Sequence, residues 1–494
     1  MSSTPYTGAG PLRQVIPFPL RAEARTGAWF DDLRRFDLVV GVFERAMDLV
    51  AALAALETAY WICAAWRSNQ AAPYARNTIL TSAVGFSLLI VLLLEKHGDY
   101  QPWLSLLAVR ETERLLRVTI SGVLLAAPIL VVVARALPVA VIALSMVMLP
   151  LFLALEKIHT QSAVRLLRRR LGATRTAVIL GTGILGRKVF STLVRSPKLG
   201  IDTVVFVAED STVEEMVVYE SAYQRKQQAK VLPGPATPRL LRKLGASVLI
   251  FADPEMPADE AATLRNAAEA AGMTTCVVPE PFLDEDATTE YLEMDGVLLA
   301  YNARRGERRL YRVAKRALDV GLSALLLVLC VPVLGAAAVA VRLGSAGPVI
   351  FRQQRVGRNG RHFAIYKFRT MHSDCARYAT SPISGRDPRI TRVGRFLRHT
   401  CIDELPQLVN VLRGEMSLVG PRPEMPFVVE QYEPIHLKRL SVLPGLTGLW
   451  QLSADRQAPI HENISYDLYY VRHRSVLMDM AILLHTLVFA FRGV

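Results

Sequence analysis

The chain has 494 residues, enough for two or three domains, and 51% of them are hydrophobic. That fraction and a mean hydropathy of +0.27 are high for a soluble protein and indicate membrane segments. The net charge of +14 favours anionic partners such as lipid headgroups or phosphorylated substrates. The basic residues are dispersed among apolar stretches, without a zinc-finger, RNP or helix-turn-helix signature, so nucleic acid is not expected as a partner.

The five cysteines and the N-terminal region indicate a reduced, cytosolic environment. The cysteines are odd in number and have no paired spacing, which argues against a disulfide framework or a zinc site. Residues 1–35 carry no signal-peptide pattern and are predicted to form a polar cytosolic tail.

Four apolar segments follow the tail, and each is close to the length that spans a bilayer. They predict a four-helix transmembrane domain over residues 36–160. Lys and Arg alternate across the flanks and loops so that both ends of the bundle face the cytoplasm by the positive-inside rule. Asp48 and Glu57, in the first segment, could lie near an interface, pair within the bundle or form an ion path. The predicted segments are residues 44–66, 78–94, 118–136 and 137–155.

A glycine-rich motif then predicts an α/β domain over residues 171–300. The apolar stretch TAVIL (176–180) runs into Gly181-x-Gly183-x-x-Gly186, and a second apolar stretch ends at Glu209 and Asp210. This is a GxGxxG motif in a strand–turn–helix–strand context. The glycines could hold a nucleotide at the helix N-terminus, or they could only allow a tight turn and close packing. No catalytic constellation accompanies them, which favours a scaffolding or regulatory role.

The third predicted domain, residues 301–494, opens with a membrane-associated helix over residues 317–341. Lys315 and Arg316 end a basic run that directly precedes it, and this juxtaposition predicts a collar that binds lipid headgroups. Pro332 near the middle of the helix kinks it. Arginines follow on the far side as well, so a re-entrant helix satisfies the charge rule, and a kinked spanning helix is the alternative.

Two adjacent carboxylates, Asp403 and Glu404, are the candidate reactive groups. Proline is tolerated at the first helical position, so a helix is predicted from Pro406 to a stop at Gly414. Both carboxylates would lie at the positive end of the helix dipole, which favours their ionised forms. An ionised Asp can act as a nucleophile, and a neighbouring Glu can hold a divalent cation against phosphate oxygens. Ordinary charge placement at a helix N-terminus is the alternative.

Cationic residues on both sides of the dyad are candidates for diphosphate contacts. Arg398 ends an upstream series of arginines at a spacing of three residues, close to one face of a helix. Downstream, two prolines fix the backbone around Arg422, and guanidinium groups bind phosphate oxygens bidentately. The predicted substrate-binding residues are Lys367, Arg369, Arg398, Pro421, Arg422 and Pro423.

Three stretches of this domain resemble the bacterial sugar transferases, the monotopic phosphoglycosyl transferases. They are FRQQRVGRNGRHFAIYKFRTM (351–371), DPRITRVGRFLRHTCIDELPQLVNVLRGEMSLVGPRPE (387–424) and LPGLTGLWQLS (443–453). The upstream architecture resembles the long members of that family. The resemblance implies a mixed membrane protein with a four-helix transmembrane bundle, a Rossmann-like α/β cytosolic domain, and an α+β phosphoglycosyl transferase domain with a re-entrant membrane helix.

The resemblance also implies an activity. The family transfers a hexose-1-phosphate from a UDP-sugar, here UDP-galactose or UDP-glucose, to undecaprenyl phosphate and releases UMP. This step initiates exopolysaccharide, capsule or O-antigen synthesis at the bacterial inner membrane, with the catalytic domain in the cytosol. Asp403 is then the nucleophile, Asp403 and Glu404 hold Mg²⁺, membrane lipids are partners, and a homodimer is expected.

Two other classes stay open from the residues alone. A transporter or flippase would need functional polar residues across several spans, and only Asp48 and Glu57 offer them. A nucleotide-sensing scaffold built on residues 175–290 would leave the motifs at 351–453 unexplained.

Overall fold

The computed structural model describes residues 27–66, 76–100, 108–132, 139–171, 173–194, 200–208, 216–220, 226–253, 255–278, 288–294, 297–303, 309–373, 375, 387–453 and 464–492. Among them the chain forms two compact units. The first comprises Met1–Val40, Arg165–Val217 and Gln228–Glu280, and the second comprises Gly41–Val164, Val218–Gln227 and Pro281–Val494.

Long helices occupy the N-terminal part of the chain. Alanine and leucine side chains, among them Ala55, Leu94 and Leu149, form one buried cluster of these helices. The acidic residue Asp48 is fully buried and pairs with Lys157 at 3.1 Å, so pairing among these helices is confirmed for it, whereas Glu57 is exposed. The helices are α1 (Gly27–Trp66), α2 (Arg76–Lys96), α3 (Ala108–Val132) and α4 (Val139–Leu171).

Most of a six-stranded sheet of doubly wound topology belongs to the first unit. Its strand order is β3-β4-β2-β1-β5-β6, and strand β1 pairs in parallel with both β2 and β5. Branched apolar residues of β1 and β5 are buried on both faces, as expected for a parallel sheet. The elements are β1 (Arg175–Leu180), α5 (Ile184–Val194), β2 (Ile201–Ala208), β3 (Met216–Glu220), β4 (Lys226–Pro233), α6 (Pro238–Lys243), β5 (Val248–Phe251), α7 (Ala258–Ala270) and β6 (Thr274–Val277).

The C-terminal part of the second unit is built from short strands and helices. After the hairpin β7–β8, its strands form an antiparallel pair, β9–β10, and a parallel pair, β11–β12. The elements are β7 (Thr288–Met294), β8 (Val297–Ala303), α8 (Arg309–Gly344), β9 (Ile350–Val356), β10 (His362–Phe368), α9 (Arg392–His399), α10 (Leu408–Arg413), β11 (Ser417–Val419), α11 (Pro426–Val429), α12 (Pro434–Leu437), β12 (Gly445–Thr447), α13 (Leu449–Leu452), α14 (Ile464–His473) and α15 (Val476–Arg492).

Helix α3 contributes to the core of this C-terminal part. It begins at Ala108, ten residues before the predicted segment, and its first turns are amphipathic. Val109 and Leu116 share a buried cluster with Tyr470 and Ile482 of helices α14 and α15. The hydroxyl of Ser475 also donates to Glu113 Oε1 at 2.8 Å. The start of α3 therefore belongs to the packing of the C-terminal helices.

Helix α8 is longer than the predicted 317–341 and contains Pro332. Two stretches of the described chain, Ala140–Arg168 and Arg309–Gly344, are long and apolar enough to cross a membrane, by length and composition. In α8, Val328 and Leu329 near the middle are 69% and 63% exposed. Its two ends, in contrast, pack against the C-terminal part of the second unit.

Candidate active site

The two adjacent carboxylates lie in a 3-10 helix, Ile402–Gln407, that leads directly into α10. The predicted helix start at Pro406 is therefore wrong by four residues, and Asp403 and Glu404 lie inside the first turn. Proline has no N–H to donate. This turn contains hydrogen bonds between residues three positions apart, such as the bond that Glu404 N donates to Cys401 O at 3.2 Å. The predicted stop is confirmed, because Gly414 caps α10 with a φ of 80°.

Asp403 is buried, at 8% exposure, and its surroundings oppose its ionisation. Burial and the neighbouring charge of Glu404 raise the pKa of Asp403 to about 6, although Lys367, Arg398 and Arg422 act in the opposite direction. The expectation that the dipole and cations favour the ionised form is thus corrected by burial. With a pKa of about 6 the carboxylate is still mostly ionised at neutral pH.

Glu404 is held by two cations. Lys367 Nζ donates to Glu404 Oε1 at 2.5 Å, and Arg422 Nη2 lies 3.6 Å from the same oxygen. Burial opposes ionisation, but Lys367 and Arg422 outweigh it and lower the pKa of Glu404 to about 2. The dyad therefore contains a firmly ionised carboxylate, Glu404, and a second carboxylate, Asp403, whose ionised form is less stable.

Lys367 reaches the dyad because strand β10 is fixed against helix α10. The buried Asn410 accepts from Tyr366 N at 3.2 Å and donates to Ala364 O at 2.7 Å, both on β10. Since both bonds hold β10 residues that shortly precede Lys367, they set the register of the strand against the helix that follows Glu404. No sequence pattern pointed to Asn410, which lies on an otherwise ordinary helix face.

Arg398 reaches the dyad from helix α9. Thr391 caps this helix by accepting from Gly394 N at 2.9 Å, and Arg398 Nε donates to Thr370 Oγ1 at 2.8 Å. Burial lowers the pKa of Arg398, while Asp403 raises it. The arginines at 392 and 395 are exposed instead, so only the last of the series faces the dyad.

Arg422 is presented by a loop whose backbone is held at three consecutive carbonyls. Gly445 N donates to Pro421 O at 2.8 Å, Arg439 Nη2 donates to Arg422 O at 2.7 Å, and Arg355 Nη1 donates to Pro423 O at 3.2 Å. The Arg422 side chain stays 35% exposed and free to meet a ligand. The stretch Pro421–Arg422–Pro423 is therefore a fixed support for one guanidinium.

The structure does not bring Arg369 to the dyad. Its guanidinium is buried and donates to Ser345 O at 2.7 Å and Ser345 Oγ at 2.8 Å, in the loop after α8. A Cβ at Gly347 would lie 2.0 Å from Arg369 Nη1, so this loop is packed tightly on the arginine. The side chain of Arg369 thus points to the end of α8, and its predicted substrate contact stays a prediction.

The structure places Lys315 and Arg316, the predicted lipid-binding cations, against protein acceptors. Lys315 Nζ donates to Asp479 Oδ2 at 3.0 Å and to Val419 O at 3.1 Å. Arg316 donates to the carbonyls of Val411 and Leu412 at 2.7 and 2.8 Å. Both cations donate to protein acceptors, because α8 packs here on β11 and α10, and the predicted contact with lipid headgroups stays a prediction.

The GxGxxG motif of the first unit has the predicted strand–turn–helix–strand context. Gly181 has a φ of 95°, and a Cβ at Gly186 would lie 2.1 Å from Gly181 O, so both positions need glycine for packing. A Cβ at Gly183 would meet open space. Glu209 and Asp210 lie outside the described residues. These observations explain two of the three glycines without a ligand.

Two adjacent carboxylates bordered by Lys367, Arg398 and Arg422 bring together the charges that suit a phosphorylated ligand. Phosphoryl transfer depends on cations that neutralise the negative charges of the phosphate groups near the reacting carboxylate. The site, the apolar helix α8 and the mixed α/β architecture together define a membrane-associated transferase.

Comparison with known proteins agrees with this class. Residues 310–493 match the bacterial sugar transferase family. The exopolysaccharide production protein PSS of Rhizobium leguminosarum bv. phaseoli is 42% identical over 188 residues, 36% of this chain and 94% of that protein. The chain belongs to the bacterial sugar transferase family.

Two further relatives carry descriptive names. The UDP-glucose:undecaprenyl-phosphate glucose-1-phosphate transferase of Escherichia coli is 38% identical over 231 residues, 44% of this chain and 49% of that protein. The undecaprenyl-phosphate galactose phosphotransferase of Salmonella typhimurium is 29% identical over 366 residues, 69% of this chain and 72% of that protein. The chain thus spans about half the length of the Escherichia coli relative.

Proposed function

We propose that this chain transfers a hexose-1-phosphate from a UDP-sugar to undecaprenyl phosphate and releases UMP. The observation that carries the proposal is the cationic border of the Asp403–Glu404 dyad, within a domain of the bacterial sugar transferase family. The names of the Escherichia coli and Salmonella relatives support both substrates.

In the first step a carboxylate oxygen of Asp403 attacks the β-phosphorus of the UDP-sugar. A bond forms between this oxygen and the phosphorus, and the bond from the β-phosphorus to the bridging oxygen breaks. UMP leaves with the electron pair, and the enzyme keeps an aspartyl-phosphosugar. Asp403 is mostly ionised at neutral pH and needs no separate base, and Arg398 and Arg422 neutralise the diphosphate.

The residues of the site fit a bound Mg²⁺. Asp403 and Glu404 offer adjacent hard oxygen ligands, and the described residues contain no group of three or more side chains that could enclose a metal alone. Mg²⁺ usually binds through one or two carboxylates together with substrate phosphates and water. It would supply charge neutralisation on the diphosphate, held by Asp403 and Glu404.

In the second step a phosphate oxygen of undecaprenyl phosphate attacks the same phosphorus. The new bond forms a lipid-linked diphosphate sugar, and the Asp403–phosphorus bond breaks, which returns the carboxylate. The lipid phosphate is already anionic, so this step also needs little activation.

The test uses a UDP-sugar radiolabelled in its β-phosphate, without lipid acceptor. After an acid quench, label should appear on the peptide that contains Asp403, and Asp403→Asn should abolish both the label and UMP release. Glu404→Gln should act mainly by weakening the Mg²⁺ dependence. Asp259→Asn is the matched control, because Asp259 is an exposed acid in the first turn of α7. Label on another peptide would exclude Asp403 as the nucleophile.

The hexose is expected to be galactose or glucose. The relatives include proteins named for each sugar, and the dyad and its cations are proposed to act on the diphosphate, which both donors share. Parallel assays of UMP release with UDP-galactose, UDP-glucose and UDP-N-acetylgalactosamine would identify the donor.

Helix α8 is proposed to enter the membrane and return to the same side. Near its start, Lys315 and Arg316 bond to the C-terminal part of the second unit, and Leu322 and Leu326 pack on its core. Near its end, Ala337 and Val341 share a buried cluster with Phe368 and Leu397 of that same part. A spanning helix would place one of these two attachments on the opposite side of the bilayer. The exposed apolar middle and Pro332 support a bend within the lipid.

Cysteine labelling from the periplasmic side tests this topology in intact cells. Ala346, exposed just beyond α8, is changed to Cys in a chain that lacks the five native cysteines. We expect no labelling by an impermeant maleimide until the cells are lysed. Efficient labelling before lysis would mean that α8 spans the membrane.

The remaining architecture follows the family resemblance. We propose that α1 to α4 form a transmembrane bundle in the bacterial inner membrane, with both ends cytosolic, and that the protein is a homodimer in contact with membrane lipids. Protease protection in oriented vesicles and cross-linking in intact membranes test the two statements separately.

A further inference from the structure

Arg439 is a buried arginine that touches the loop of the site without touching the site itself. It is 2% exposed and lies in a short 3-10 helix, Lys438–Ser441. A buried guanidinium is costly unless each donor is paired, and here the described partners belong to three different segments. Such a residue fixes the relative position of the segments that it joins.

The first of these partners is Asp467 on helix α14. Arg439 Nε and Nη2 lie 2.8 Å from Asp467 Oδ2, and both side chains are almost fully buried. Burial opposes the charge of Arg439, but the carboxylate of Asp467 and its other partners outweigh it, so the pKa of Arg439 is raised. Burial also raises the pKa of Asp467, and the charge of Arg439 offsets part of that increase. The hydroxyl of Tyr432 accepts from Arg439 Nη1 as well. These contacts hold the guanidinium plane in one orientation.

The remaining contact reaches the site. Arg439 Nη2 donates to the backbone carbonyl of Arg422 at 2.7 Å. The side chain of Arg422 then extends to 3.6 Å from Glu404 Oε1. Prolines on both sides restrict φ around this residue, so the carbonyl direction and the side-chain direction are linked through a stiff backbone.

We propose that Arg439, oriented by Asp467, is a positioning residue that sets where the Arg422 guanidinium meets the diphosphate of the substrate. The inference rests on the proposed function, because it assigns Arg422 to that diphosphate. Arg355 holds the adjacent carbonyl of Pro423 at 3.2 Å, so the loop stays attached when Arg439 is changed and only its orientation is released.

The test is a double-mutant cycle on the full chain, with UMP release as the readout. Arg439→Met is combined with Asp467→Asn, so that no buried carboxylate is left unpaired, and this pair variant is made in wild-type and Arg422→Ala backgrounds. A misplacement of about 1 Å can cost about 10²-fold in rate. We expect a loss of that size in kcat/KM for the pair variant in the wild-type background. In the Arg422→Ala background we expect less than a twofold further loss.

Two more variants separate positioning from folding. Arg439→Lys keeps the ion pair with Asp467 but lacks the planar guanidinium, and we expect it to restore thermal stability without restoring kcat/KM. Arg474→Met removes another arginine-to-carbonyl bond, from Arg474 Nη1 to Val471 O at 2.7 Å, and should leave kcat/KM unchanged in both backgrounds.

Multiplicative losses, in which the pair variant costs the same factor with and without Arg422, would overturn the inference. Full recovery of kcat/KM in Arg439→Lys would overturn it as well. A wild-type chain that releases no UMP from any UDP-sugar would instead refute the proposed function.

Discussion

Replacing Gly394 by alanine should impair the site from a position that touches no ligand. A Cβ at Gly394 would lie 2.1 Å from Thr370 O and 2.7 Å from Thr370 C, both backbone atoms. Relief of this contact needs helix α9 to move away by about 1 Å, which strains the bond from Thr391 N to Thr370 O. Overpacking of this kind costs about 1–3 kcal/mol of unfolding free energy, partly offset by about 1 kcal/mol of helix propensity.

The same displacement moves Arg398, which lies one turn further along α9 and bonds to Thr370 Oγ1. We expect kcat for UMP release to fall about 10²-fold, since a shift of about 1 Å in a positioned charge has that effect. Thermal unfolding and UMP release are measured on the same membrane preparation. Gly85→Ala on α2 is the matched control, because its Cβ would have no atom within 4 Å.

An unchanged melting temperature and an unchanged kcat in Gly394→Ala would refute the packing argument. A lower melting temperature with an unchanged kcat would show that α9 does not position Arg398 for the reaction.

Three further outcomes are expected. Lys367→Met removes the cation paired with Glu404, so UMP release should fall about 10²-fold while the chain stays folded. The control is Arg358→Met, which changes an exposed arginine and should show wild-type kinetics. Asn410→Ala leaves Tyr366 N and Ala364 O without their partner and should lower unfolding free energy by about 1–3 kcal/mol, measured by thermal denaturation. Gly186→Ala should make the first unit more susceptible to proteolysis and Gly183→Ala should not, and equal protease resistance of the two variants would contradict the packing role of Gly186.

Sequence motifs predicted the structural features that depend on only a few neighbouring residues. Proline and glycine restrict backbone conformation within a few residues, so the helix end at Gly414 and the turn at Gly181 could be derived from the sequence. The grouping of Lys367, Arg398 and Arg422 around the dyad followed from charge and from the family resemblance.

Side-chain direction could not be predicted in the same way. Arg369 lies two residues from Lys367, a spacing that places two side chains on one face within a strand. Strand β10 ends at Phe368, however, so the alternation does not extend to Arg369, which bonds to the loop after α8. Lys315 and Arg316 precede an apolar stretch, as headgroup ligands do, but the packing of α8 on β11 and α10 directs them inward. Arg439 and Asp467 are 28 residues apart, so no periodic pattern links them.

The attachment of both ends of α8 to one structural unit limits how its length can vary. One inserted residue in the exposed middle would rotate the end that carries Ala337 and Val341 by about 100° relative to the end that carries Lys315. A seven-residue insertion would nearly restore the face but add about 10 Å of helix. Related chains should therefore vary freely in the side chains between these two attachments but keep the same number of residues between them. A different number of residues would identify members that do not share the proposed membrane insertion.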